Sequence, residues 1–247
     1  MKARITPRIL IPLLAAALLT ALPASHAGEK EVRQAVQALA PGAKSVKIDK
    51  TGMDGIFEVT LDGEQGPMVI YADKNGQYLM VGELLDVKNR RNLTKERMDK
   101  LTEVKWETLP LQDAIKVVRG NGQRRLAVFS DPDCPYCKKA EQEFSKLDNV
   151  TIYTFLYPLP FHQDAARKAR LVWCAKDRAQ AWLDLMLKGR VPGGKAGCSN
   201  PVEKNLALGA RLKVEGTPAM ILANGKRIPG FVPAAQLDAM LTAAEAR

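Results

Sequence analysis

The chain alternates between two kinds of hydrophobic pattern. In the first third, Ser45-Val-Lys-Ile-Asp49 and Ile56-Phe-Glu-Val-Thr-Leu61 alternate apolar and polar positions, the period of a half-buried strand. Pro67-Met-Val-Ile-Tyr71 continues as a third strand. Asn75-Gly76, a hairpin dipeptide, turns the chain into a fourth over Gln77–Val81. A short helix over Glu31–Leu39, ended by Pro41-Gly42, precedes them. Lys88 to Lys105 is densely charged, with Leu93, Arg97 and Leu101 at helical spacing and Asn92 or Thr94 available as a cap. This predicts an exposed linker helix. Further on, Leu126-Ala-Val-Phe-Ser130 and Val150–Leu156 read as apolar strands, the second rich in β-branched and aromatic residues. A helix follows from about Asp164, with Ala169, Val172 and Trp173 on its apolar face. Ala219–Ala223, Asn224-Gly225 and Lys226–Ile228 form a hairpin. Pro233 opens a final helix whose inner face is Leu237, Met240 and Leu241.

The extreme N-terminus sets a compartment. Lys2, Arg4 and Arg8 precede an apolar run, Ile9 to Leu22, and Ser25-His-Ala27 offers small residues at a cleavage position. This is the pattern of a secretory signal peptide over residues 1–27, too short in its apolar core for the roughly 20 residues that span a bilayer. Export to the bacterial periplasm is expected, where disulfides persist. Of the net charge of +10, three positives lie in that segment, and the rest are scattered pairs such as Arg90-Arg91, Arg124-Arg125 and Arg167-Lys168. With no nucleic-acid motif beside them, they argue for solubility and against nucleic acid as a partner. The 220 residues that follow suit two domains: a small one over 28–88 without Cys or His, a linker over 89–112, and an α/β unit over 113–247.

The chemistry concentrates in Asp131-Pro-Asp-Cys-Pro-Tyr-Cys-Lys138, directly after a strand and opening a helix. A C-x-x-C dithiol on such a turn is a thiol–disulfide exchange site. The unpaired N–H groups and partial positive charge of a helix N-terminus favour a thiolate at Cys134, which makes it the expected nucleophile and Cys137 the resolving thiol. Structural zinc needs four ligands, and after the signal segment only His162 accompanies the four cysteines, with no second C-x-x-C. No metal and no small-molecule cofactor are expected. Asp131 and Asp133 flank the dithiol and are expected to face solvent. The position six residues before Cys134 is Val128, so that strand offers no carboxylate as a proton relay. Cys174 and Cys198, 24 positions apart, are expected to form a structural disulfide in an oxidising compartment, a second redox pair being the alternative.

Three motifs, Cys134-Pro-Tyr-Cys137, Val172-Trp-Cys-Ala-Lys-Asp177 and Glu215-Gly-Thr-Pro-Ala219, together resemble the bacterial periplasmic disulfide isomerases, DsbC and its relative DsbG. The resemblance covers nearly the whole chain after the signal segment. It implies a thioredoxin-like α/β catalytic domain with a helical insertion, preceded by a small α+β, cystatin-like dimerisation domain and a linker helix. It implies a V-shaped homodimer, with the nucleophile at Cys134, the resolving cysteine at Cys137 and a cis proline at Pro218. Thr217, Pro218 and Tyr136 would contact an extended substrate segment. It further implies misoxidised exported proteins as substrates and a membrane reductase of the DsbD type as electron source. DsbC carries a disulfide at the motif positions of Cys174 and Cys198, and DsbG does not; the Pro135-Tyr136 dipeptide is of the DsbG type. Isomerisation is the leading expectation. A DsbG-like reductase of single oxidised cysteines, a holdase chaperone and a DsbA-like oxidase are the alternatives.

Overall fold

The computed structural model describes residues 28–63 and 66–245. The signal segment expected over 1–27 lies outside the described residues. Among the described residues, no helix is long and apolar enough to cross a membrane. The chain divides into two compact units between Gly82 and Glu83.

The first unit is a helix on a four-stranded antiparallel meander. Helix α1 (Glu29–Leu39) turns Val32 and Val36, one turn apart and fully buried, toward the sheet, and Glu29 and Glu31 sit in its first turn, where the helix dipole favours them. Strands β1 (Val46–Lys50), β2 (Ile56–Gly63), β3 (Gly66–Asp73) and β4 (Leu79–Met80) lie in chain order. The register pairs Phe57 with Ala72 and Val59 with Ile70, and these four side chains with Leu61 and the two helix valines make the core. The turn before β4 is held by the Asp73 carboxylate, which accepts from the Tyr78 N–H at 2.7 Å and the Asn75 N–H at 3.1 Å. Gly76 needs to be glycine there: its φ is +67° and a Cβ would stand 2.6 Å from the Glu31 carbonyl oxygen.

The second unit opens with a two-stranded ribbon, β5 (Leu85–Asp86) and β6 (Arg91–Asn92), and helix α2 (Leu93–Leu101). The Asn92 side chain caps α2 by accepting from the Lys95 N–H at 2.8 Å. The helix expected within 89–112 thus covers only nine residues. Thr102 stops it, its hydroxyl donating to the Met98 carbonyl at 2.8 Å, and two short 3₁₀ turns follow at Trp106–Thr108 and Leu111–Asp113. Then come β7 (Ile115–Arg119), β8 (Arg124–Ser130), α3 (Pro135–Phe144), β9 (Val150–Leu156), α4 (Ala165–Cys174), α5 (Arg178–Lys188), α6 (Val202–Arg211), β10 (Ala219–Leu222), β11 (Arg227–Pro229) and α7 (Ala234–Glu245). The sheet order is β11-β10-β8-β9-β7, with β8 and β9 parallel across the α3 crossover and the other pairs antiparallel.

Central strand β8 explains the layers. From Leu126 to Ser130 its residues are buried on both faces, as a covered central strand requires. Leu126 and Val128 point into a cluster with Phe144 of α3 and Leu237 and Leu241 of α7. Ala127 and Phe129 point the other way, to Phe155, Tyr157, Leu208 and Trp106. A third cluster packs α4 and α5, through Val172, Trp173, Trp182 and Leu185, against Cys134, Cys137 and Leu156. That helical layer stands over the start of α3, so the two cysteines are set in a packed core at the carboxyl end of β8.

Candidate active site

Cys134 is the N-cap of α3, extended at φ −68° and ψ 122°, and Pro135 takes the first helical position, where a missing N–H is harmless. Its own side chain makes no capping bond. The capping is done from outside by Asp131. One carboxylate oxygen of Asp131 accepts from the Asp133 N–H at 2.6 Å and the Cys134 N–H at 3.1 Å, and the other accepts from the Leu159 N–H at 2.5 Å. His162 Nδ1 lies 3.0 Å from that second oxygen, without the alignment of a hydrogen bond. Asp131 is therefore 0% exposed, contrary to the solvent-facing placement expected from its loop position. The reason is the strand-end geometry: the segment after β9 folds over the turn and supplies Leu159 and His162 as partners. Asp133 is partly buried, paired with Lys168 Nζ at 2.5 Å.

The two sulfurs are free thiols in unequal settings. Cys134 retains 5% exposure, and its Sγ lies 3.4 Å from the Thr217 carbonyl oxygen. Cys137, one turn inside, has none. Burial pushes the Cys137 thiol up to about 12, against the pull of the Ser130 and Thr217 hydroxyls and the Asp131 N–H, which lies 3.4 Å from Sγ. The Thr217–Pro218 peptide bond is cis, and the Pro218 carbonyl accepts from the Gly230 N–H at 2.9 Å. Cys134, Cys137, Thr217 and Pro218 thus meet at one place although 80 residues separate the two motifs in the chain. Tyr136 is outside the core at 59% exposure, with Lys139 Nζ 5.4 Å from its ring centre. Phe161, 71% exposed, packs edge-on against the His162 ring at 4.6 Å. Two aromatic side chains are therefore presented to solvent by the residue after Cys134's proline and by the loop that covers Asp131.

Cys174 and Cys198 stand apart from this centre. They form a disulfide with Cα atoms 5.7 Å apart, joining the end of α4 to the loop before α6. Beside it, Arg178 stacks over the Trp173 ring at 4.0 Å and donates from Nε to the Trp173 carbonyl at 2.8 Å.

Sequence reasoning missed Glu141. It lies in the buried stripe of α3, Cys137, Ala140, Glu141 and Phe144, whose i, i+3, i+4, i+7 spacing is itself the signal that could have found it. Trp182 Nε1 donates to its carboxyl at 2.6 Å. Burial pushes Glu141 up to about 7, against the Trp182 hydrogen bond and the charge of Arg119.

Residues 111–245 match the family model of the thioredoxin-like domain, and residues 23–95 match that of the disulfide bond isomerase protein N-terminal domain. The chain is similar to the probable thiol:disulfide interchange protein DsbC of Bordetella pertussis, 43% identical over 187 residues, which are 76% of this chain and 65% of that relative. It spans, therefore, a little under two thirds of the Bordetella protein's length. It is 27% identical over 206 residues to the thiol:disulfide interchange protein DsbC of Escherichia coli K12, covering 81% of this chain and 82% of the relative. Among solved structures, the disulfide interchange protein from Neisseria gonorrhoeae superposes with a TM-score of 0.54 at 46% identity, over 56% of this chain and 99% of that one. With both domain models matched in order and the dithiol at the end of β8, the chain belongs to the DsbC-type family of thiol:disulfide interchange proteins, a thioredoxin-like domain preceded by the disulfide bond isomerase N-terminal domain.

Proposed function

We propose that the protein is a periplasmic thiol:disulfide isomerase that rearranges incorrect disulfides in exported proteins. The observation that carries this reading is the asymmetry of the dithiol: Cys134 at the helix N-cap beside the Thr217 carbonyl, and Cys137 closed off behind it. The Cys134 thiolate attacks one sulfur of a substrate disulfide. A Cys134–substrate bond forms, the substrate bond breaks, and the other substrate sulfur leaves with its electron pair. A second substrate thiolate then attacks the mixed disulfide, forms the rearranged bond and restores Cys134. Where rearrangement stalls, Cys137 attacks instead and the substrate leaves reduced by two electrons. The backbone at Thr217 and Pro218 is available to pair with an extended substrate segment, and exposed Tyr136 offers it an apolar surface.

The Cys174–Cys198 bond, on which the DsbC-like and DsbG-like expectations part, supports the DsbC-like reading and is assigned a structural role. The remaining expectations follow as parts of the same proposal. Residues 1–27 direct export. Residues 28–88 dimerise, a role supported by the exposed Leu39, Met68, Tyr78, Met80 and Val81 of the first unit. Residues 89–112 link this part to the catalytic unit over 113–247, and a DsbD-type membrane reductase keeps the dithiol reduced.

The test is reactivation of a scrambled multi-disulfide protein by catalytic amounts of the chain in glutathione buffer. Recovery that disappears in Cys134→Ala and persists in Cys174→Ala/Cys198→Ala is the expected result. No recovery by a protein whose dithiol still cycles would overturn isomerisation. A Cys134→Ala variant that suppresses aggregation while losing exchange would add a chaperone role.

A further inference from the structure

One exposed side chain beside the dithiol has no part in the exchange described above. Resting on the assignment of Cys134 as nucleophile, we propose that Phe161 is a specificity-determining residue, the contact for a large apolar side chain that a substrate protein carries within a few residues of its reacting cysteine. Phe161 is 71% exposed, yet its ring is held. It packs edge-on against the His162 ring with centres 4.6 Å apart, and His162 Nδ1 lies 3.0 Å from one oxygen of Asp131, whose other oxygen accepts the Cys134 N–H at 3.1 Å. That path of contacts keeps the Phe161 ring centre within about 14 Å of the Cys134 nitrogen, and an extended chain advances about 3.4 Å per residue. A segment joined to Cys134 through its own cysteine therefore reaches Phe161 within about five residues.

The loop fixes the ring before any substrate arrives. Pro158 and Pro160 hold two of its φ angles. Before Phe161, the Tyr157 N–H donates to the Ser130 carbonyl at 2.9 Å and the Leu159 N–H to Asp131 at 2.5 Å. After it, the His162 N–H donates to the Leu159 carbonyl and the Ala165 N–H to the His162 carbonyl, both at 3.1 Å. A side chain placed this way loses little freedom when it is covered, so burying its apolar area goes largely into binding. Single exposed apolar residues are common on protein surfaces. This one differs in its company. Tyr136, two positions beyond Cys134, is 59% exposed as well, and Cys134 Sγ lies 3.4 Å from the Thr217 carbonyl oxygen, where substrate backbone would pass.

The charges around Phe161 fit an apolar occupant. Lys168 pairs with Asp133 at 2.5 Å and with Asp164 at 3.4 Å, and Arg167 pairs with Asp164 at 2.6 Å. These two cations and two anions balance, and Lys139 stands over the Tyr136 ring, 5.4 Å from its centre. An aromatic or aliphatic side chain is what the Phe161 ring can recognise, through its area and not through a hydrogen bond. Such side chains are mostly buried in finished proteins and exposed in incompletely folded ones. The contact would thus direct Cys134 toward cysteines of chains that have not yet folded.

The experiment measures the rate at which the reduced protein forms mixed disulfides with a set of peptides, by acid quenching and mass analysis. Each peptide has one neutral, polar sequence and a single cysteine held as a disulfide with 2-mercaptoethanol. One phenylalanine is moved along it, from about five positions before the cysteine to about five after, and the reference peptide has serine throughout. The quantity read is the ratio of rates, phenylalanine peptide over serine peptide, for each protein separately. In the wild type that ratio should peak at about tenfold at one position, as partial burial of two facing apolar side chains predicts. In Phe161→Ser the peak should fall to about one, and in Phe161→Leu, which keeps an apolar side chain, most of it should remain. A wild-type protein indifferent to the phenylalanine would overturn the proposal. So would a Phe161→Ser variant that keeps the peak, including one slowed equally toward every peptide, because Phe161 would then act only by steadying the turn. Failure of the underlying reading looks different: Cys134→Ala would still form the mixed disulfides.

Discussion

Removing the Asp131 carboxylate tests the architecture of the site most sharply. Asp131→Ala deletes an acceptor that serves three backbone N–H groups at 2.5, 2.6 and 3.1 Å, in a side chain with no exposure. A hydrogen bond to a charged group contributes about 1.5–3 kcal/mol, and a buried donor left unmade costs about 1–3 kcal/mol. The three are not independent, and the Asp133 and Leu159 N–H groups belong to partly exposed residues that water can reach. A loss of about 3–5 kcal/mol is therefore expected, a large share of a typical domain stability of roughly 5–15 kcal/mol. Asp131→Asn should cost less, about 1–3 kcal/mol, because its carbonyl can still serve Asp133 and Cys134, while its amide then confronts the Leu159 N–H donor. Urea unfolding followed by far-ultraviolet dichroism gives both values, with amide exchange at residues 131–134 and 159 as the local readout. Stability within about 0.5 kcal/mol of wild type in Asp131→Ala, with unchanged exchange at those amides, would refute the claim that this carboxylate holds the turn.

Three further outcomes are expected. Replacing Cys174 and Cys198 by alanine opens a loop whose ends are 24 positions apart, worth about 3.5 kcal/mol by the chain-entropy model, and should lower the urea midpoint while leaving exchange at Cys134 intact. Gly209→Ala should destabilise by about 1–3 kcal/mol, lowering the melting temperature by roughly 2–12 °C, because its Cβ would stand 2.2 Å from the Tyr157 ring, which is itself packed on Phe129. Stability should depend on pH through Glu141: the folded protein holds that proton up to about 7 whereas the unfolded chain releases it near 4.5, so this group's contribution falls as pH rises between the two, by about 3 kcal/mol in all. Glu141→Gln should lack that component, measured as the difference between the two proteins' unfolding free energies from pH 4 to 8.

Local patterns carried much of the fold. The alternation in β2, the apolar runs of β8 and β9, the Asn-Gly turn before β4 and the inner face of α4 all lie within a few neighbouring residues, so periodicity finds them. Strand β7 was not legible: it is short, Lys116 and Val118 face outward, and its partner β9 lies some 35 positions downstream. The linker helix was overextended because charge density marks exposure and not helical continuity, whereas the local bond from Thr102 decides where α2 ends. The dithiol was legible as a motif, since C-x-x-C after a strand has few other uses. Its surroundings were not. An aspartate in a Pro-rich loop reads as solvated, and only the return of the chain after β9 makes Asp131 an interior acceptor.

The two buried carboxyl groups of α3 and its approach differ in what each one holds. Asp131 ties three backbone N–H groups from two segments, the turn before α3 and the chain after β9. Glu141 holds a single indole N–H, that of Trp182 on α5. The sulfurs differ in the same way: Cys134 has its N–H on Asp131 and retains 5% exposure, and Cys137 has none. Loss of Asp131 should therefore reach the nucleophile directly, through the Cys134 N–H and the turn that presents it, and slow attack on an incoming disulfide. Loss of Glu141 removes a contact between α3 and α5 that touches no backbone group of that turn, so it should change stability while leaving the first attack in place.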